Sequence, residues 1–147
     1  MKISDCHDLA RELMRQHGLV HWSLKFDESK RRFGQCRMRD QVISLSWRLV
    51  DLNDEATVKD TILHEIAHAL TPRAGHGWKW RAKALEIGCD GKRCYSADTV
   101  KTPPKKFVGT CPKCLREIKR HKRTKISCGK CDRKFNKDLL FTWTICD

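Results

Sequence analysis

No run of apolar residues in this 147-residue chain is long enough to cross a bilayer. The longest, Leu139 to Cys146, falls far short of the about 20 residues a spanning helix needs. The first residues, among them Lys2, Asp5, His7 and Asp8, form no apolar stretch of the kind that opens a secretory signal. An intracellular, cytoplasmic protein with no membrane partner is therefore expected. Internal repeats are absent, and the length excludes two large cores while allowing one compact domain with a small metal-stapled module. Acid is also scarce: 18 Asp and Glu stand against 31 Lys and Arg, a net charge of +13. An excess of that size favours polyanions such as nucleic acid over acidic small molecules.

The basic excess is local. From Lys101 onward fourteen Lys and Arg face four Asp and Glu, net +10, which leaves +3 for the first hundred residues. The chain has nine cysteines, five of them in this basic stretch. In a reducing compartment, closely paired cysteines point to metal rather than to disulfides.

Hydrophobic spacing predicts a helix over 4–17, stopped by Gly18, then strands over 21–27, 33–39 and 41–47 that form a small antiparallel sheet. Asn53 or Asp54 can cap a second helix, whose apolar positions Val58, Ile62, Ile66 and Leu70 recur every four residues. That helix should end near Thr71, because Pro72 lacks an amide hydrogen and its ring collides with the preceding turn. A third helix is expected over 78–87. The composition of residues 96–106, with the pair Pro103-Pro104, is that of a linker. The expected organisation is an α+β domain over 1–95, a linker over 96–106 and a basic module over 107–147.

The second helix carries His64-Glu65-Ile66-Ala67-His68, an HExxH pattern. Four residues advance a helix by about 400° and about 6 Å, so His64 and His68 project from one face and can bind one metal ion. Glu65 lies beside them, offset from the ligand axis, as suits a general base acting on a metal-activated water. A catalytic zinc takes three protein ligands and keeps one position open. His76, bracketed by Gly75 and Gly77 just past the helix break, is the obvious third. It stands eight positions after His68, which excludes the metzincin spacing, and Glu86 is a minor thermolysin-type alternative. The chemistry implied is peptide bond hydrolysis. Arg73, His21 and Tyr95 are open as oxyanion donors.

Cys111, Cys114, Cys128 and Cys131 form two Cys-x-x-Cys pairs thirteen residues apart, enough to close a four-thiolate zinc site with no open position. That zinc is structural and brings the expected count to two per chain. Arg116, Lys119, Arg120, Lys122, Arg123 and Lys125 lie between the pairs as candidate phosphate contacts. Phe135, Phe141 and Trp143 either join that surface or form the module's small core. Cys6, Cys36, Cys89, Cys94 and Cys146 are read as buried free thiols, and His7, His17 and His21 as ordinary surface or core residues.

The segment from Asp60 to Leu70, followed by Gly75-His76-Gly77 and a tryptophan-bearing helix, resembles the SprT-like zinc metalloproteases. Phe33-Gly34-Gln35-Cys36 and Ile43 to Leu49 resemble that family's strand pair, and a four-cysteine ribbon after the protease domain is common among its members. The resemblance implies a small zincin-like fold with the HExxH helix packed on a short sheet, zinc held by His64, His68 and His76, and Glu65 as the catalytic residue. Because the family includes the Spartan proteases, it also implies a DNA-associated or DNA-crosslinked protein substrate, nucleoid association, and no small-molecule cofactor. A non-catalytic, zinc-containing nucleic-acid-binding adaptor is the alternative. The glutamate argues against it, since a purely structural site has no use for a carboxylate beside its ligands.

Overall fold

The computed structural model describes residues 1–146, which fall into two compact units, Met1–Pro103 and a second from Pro104 onward. The first unit runs α1 (Ile3–Gln16), β1 (Ser23–Asp27), β2 (Gly34–Arg37), β3 (Val42–Ser46), α2 (Trp47–Leu52), α3 (Glu55–Leu70) and α4 (Trp78–Glu86). On α1, Cys6, Ala10, Leu13 and Met14 fall on one helical stripe and are buried. Gly18, at φ +76°, ends the helix in the left-handed conformation that glycine adopts without strain.

The sheet is mixed rather than wholly antiparallel. Its order is β1-β3-β2, with β3 antiparallel to β2 and parallel to β1. The reason lies in the apolar content of β3: all five of its residues are buried, so it takes the central place, between the two strands that precede it. The expected third strand also stops one residue short. Ser46, the last residue of β3, also caps α2, its Oγ accepting from the Leu49 amide at 3.3 Å and donating to the Ser29 carbonyl at 2.5 Å. Alternation in the sequence hid this short helix because Leu49 and Val50, both buried, continue an apolar run.

α3 crosses beneath the sheet and buries Val58, Ile62, Leu63, Ile66 and Ala67. Each large aliphatic so buried contributes about 1.5–3 kcal/mol. Of the two candidate caps, Asp54 acts, accepting from the Thr57 amide at 2.9 Å. Asn53 is buried and does something else: its side chain donates to the Leu49 and Lys101 carbonyls and accepts from the Lys101 amide at 2.8 Å. With Val100 also buried, the first half of the stretch read as a linker is tied into the first unit.

In the second unit β4 (Phe107–Thr110) lies between β5 (Glu117–Arg120) and β6 (Thr142–Ile145), antiparallel to both. Cys111, Cys128, Leu139 and Phe141 make its core, with Ile118, Ile126 and Trp143 packed against them. The Trp143 ring lies so close over Gly109 that an added Cβ would sit 2.9 Å from it. Phe141 and Trp143 are therefore core residues, whereas Phe135 is 59% exposed.

Candidate metal centre and active-site cleft

α3 presents His64 and His68 one turn apart, and the chain then breaks at Thr71-Pro72 as the proline requires. Arg73 and Gly75 both take positive φ, +63° and +55°, and this tight reversal returns His76 to the helix face. The three Nε2 atoms converge: 3.1 Å separates His64 from His76, 3.0 Å separates His68 from His76, and 3.3 Å separates the helical pair. Two nitrogens bound to one tetrahedral zinc at about 2.0–2.1 Å stand about 3.3 Å apart. The donor set and its spacing thus fit a zinc ion with one face left open.

Trp80 of α4 is the floor of this arrangement. Its ring, 1% exposed, touches all three imidazoles, with centroids 4.6 Å from His64, 5.2 Å from His68 and 4.7 Å from His76. Its indole N–H donates to the His64 carbonyl at 3.4 Å. Burial depresses the pKa of His64 and of His68 to about 4, and each imidazole's neighbours in the triad push in the same direction. Burial and the nearby Arg93 charge lower that of His76. All three imidazoles are therefore neutral at pH 7, the form that ligates a metal.

Glu65, 7% exposed, packs its carboxyl against β2 at the edge of the cleft that the three histidines line. An added Cβ on Gly34 would sit 2.8 Å from the Glu65 Oε1, so the glycine makes room for the carboxyl. Burial raises the Glu65 pKa to about 7, while Arg32 and a hydrogen bond from the Cys36 amide hold it from going higher. A carboxyl poised near neutrality can both take up and give back a proton.

The imidazoles and Glu65 lie along a cleft of about 790 Å³ between residues 31–36, α3 and the segment 90–100. Of the three oxyanion candidates only Tyr95 lines it, its hydroxyl donating to the Arg31 carbonyl and its ring edge-on to Phe33. Arg73 and His21 do not, and Glu86 pairs with Lys83 at 2.7 Å instead of joining the histidines. Cys94, expected to be buried, is exposed and lines the same cleft. Cys6 and Cys89 are the buried thiols anticipated, pushed up by burial to about 11 and about 12. A close group of Asp60, Cys89 and Asp90 is bonded internally, Asp60 accepting the Asp90 amide at 2.7 Å, and fixes the return of the chain onto α3. The sequence alone assigns no role to Trp80 or Gly34 and carries no sign that residues 90–100 wall the cleft. A glycine inside a strand was the available sign for Gly34.

In the second unit the four sulfurs of Cys111, Cys114, Cys128 and Cys131 lie within 4.8 Å of one another. Two of the separations, 3.9 Å and 3.7 Å, match the about 3.8 Å expected between thiolates on a tetrahedral zinc. The Cys114 amide, aimed at Cys111, lowers that thiol to about 6. Arg116 just before β5, Lys119 and Arg120 on it, and Lys122, Arg123 and Lys125 after it are all exposed, and none forms an ion pair among the described residues. The Arg123 guanidinium stands 5.1 Å over the Phe107 ring.

The model of the SprT-like family matches residues 4–101, which span the first unit almost to its end. No curated protein sequence matches the chain. Among solved structures, the crystal structure of the metallopeptidase zymogen of Methanocaldococcus jannaschii jannalysin is similar, with a TM-score of 0.50 and 17% identity over 63% of this chain and 84% of that one. At that identity the likeness concerns the fold.

Proposed function

The chain belongs to the SprT-like family, and from that membership we propose a zinc-dependent metalloendopeptidase that acts on DNA-associated proteins. Family and fold support a zinc metallopeptidase in general. The observation that carries the finer reading is the convergence of three neutral imidazoles, 3.0–3.3 Å apart, in the same cleft as a buried carboxyl. His64, His68 and His76 would hold the ion. Zinc so held supplies Lewis acidity toward a water molecule and the substrate carbonyl.

Glu65 accepts the proton that the water gives up as its oxygen bonds to the carbonyl carbon. When the C–N bond breaks, the same carboxyl returns that proton to the leaving amine, so one water is consumed and Glu65 ends as it began. Trp80 keeps the three imidazoles in register, and Gly34 lets the carboxyl sit close to β2. Cys111, Cys114, Cys128 and Cys131 would hold a second, structural zinc. The six exposed cations of the ribbon would carry the DNA contact, chiefly through phosphates, with affinity that falls as salt rises.

The test is cleavage of a DNA-binding protein with and without single-stranded or duplex DNA. Stimulation by DNA that disappears at high salt supports the reading. Cleavage indifferent to DNA removes the role given to the ribbon. No cleavage by a chain carrying two zinc ions leaves a nucleic-acid-binding adaptor.

A further inference from the structure

The cleft that leads to the three histidines holds four cations from two separate segments, Arg31 and Arg32 ahead of β2 and Lys92 and Arg93 beyond α4. The first hundred residues carry a net charge of only +3, so these four are a local concentration. Two of them are matched: Arg32 pairs with Asp27 at 2.9 Å and Lys92 with Asp90 at 3.5 Å. Arg31 and Arg93 are exposed and form no ion pair among the described residues. The bond from the Tyr95 hydroxyl to the Arg31 carbonyl brings the two segments together, with Arg93 two residues from that junction.

Resting on the peptidase reading, we propose that Arg31 and Arg93 determine specificity by receiving an Asp or Glu side chain of the substrate beside the bond to be cut. A guanidinium offers a planar fork of donors that matches a carboxylate, and at these two positions that capacity is unused. A nucleic-acid backbone fits the cleft less well. Asp60 and Asp90 line it too, and their carboxylates repel a continuous row of phosphates while leaving space for a single negative side chain.

Binding tests this independently of turnover. A fluorescent unstructured peptide with one central Glu, and its twin with Gln there, are titrated into the zinc-loaded full chain carrying Glu65→Gln, and into the same chain carrying Arg31→Gln and Arg93→Gln as well. The Glu peptide is expected to bind about fivefold tighter than its twin, the upper range for exposed ion pairs, and the two arginine changes should abolish the difference. Equal binding of both peptides, or a preference that survives the changes, overturns the proposal. So does a loss of single-stranded oligonucleotide affinity in the arginine variant with peptide binding unaltered, which would make the cleft a nucleic-acid site. Hydrolysis of both peptides by the Glu65 form then separates the two claims. Selective binding without hydrolysis sinks the peptidase reading and keeps the acidic-ligand site, and hydrolysis without selectivity does the reverse.

Discussion

Glu65 sits where a carboxyl is hard to ionise, burial raising its pKa to about 7. Activity should rise with pH as Glu65 loses its proton, and a bound cation moves that limb below 7 because it favours the anion. The rate of peptide hydrolysis from pH 5 to 8 should therefore show an acidic limb beneath 7, and a rate flat across that range would contradict the assignment. The histidines act in the opposite sense on metal loading. An ordinary imidazole competes for protons below 6.5, but His64 and His68 do so only near 4. Zinc should stay bound to about pH 5 on stepwise acidification, and half-release near 6.5 would show that the imidazoles are not buried as described. Gly34→Ala places a methyl against the Glu65 carboxyl and should lower kcat about tenfold or more with zinc content unchanged.

At the scale of elements, the return of the chain onto α3 hangs on a few buried contacts. Asn53→Ala removes three hydrogen bonds, two of which tie the end of α2 to Lys101, and should cost about 2–4 kcal/mol, read as a lowered midpoint in urea. Trp80→Phe keeps an aromatic floor but loses the bond to the His64 carbonyl, and zinc affinity should fall about tenfold. Helices α1 and α3 were legible because their apolar spacing is helical and Gly18 and Pro72 mark their ends. The histidine pair was legible for the same reason, since spacing on a helix fixes direction. What escaped the sequence depends on contacts between distant segments. The parallel pairing of β1 with β3 follows from which strand is most apolar on both faces, and Ser46 both ends the strand and caps α2, its hydroxyl donating to the Ser29 carbonyl. Tyr95 could be named but not chosen until the bond to Arg31 brought it into the cleft.

Across the whole molecule, chemistry and charge are divided between two units. The cleft, the histidines and Glu65 belong to the first, and the net +10 and the four-cysteine cluster belong to the residues from 101 onward. Replacing Cys128 and Cys131 by serine should therefore lower the zinc content from two ions per chain to one. It should leave hydrolysis of a short peptide nearly intact while abolishing any stimulation by DNA. The role proposed for Glu65 at the three-histidine zinc site is decided by hydrolysis of an unstructured polypeptide by the chain before and after Glu65→Gln, with zinc content measured on both. Equal zinc and a rate lowered by about a thousandfold or more is the predicted result. Equal zinc and an undiminished rate would contradict the account.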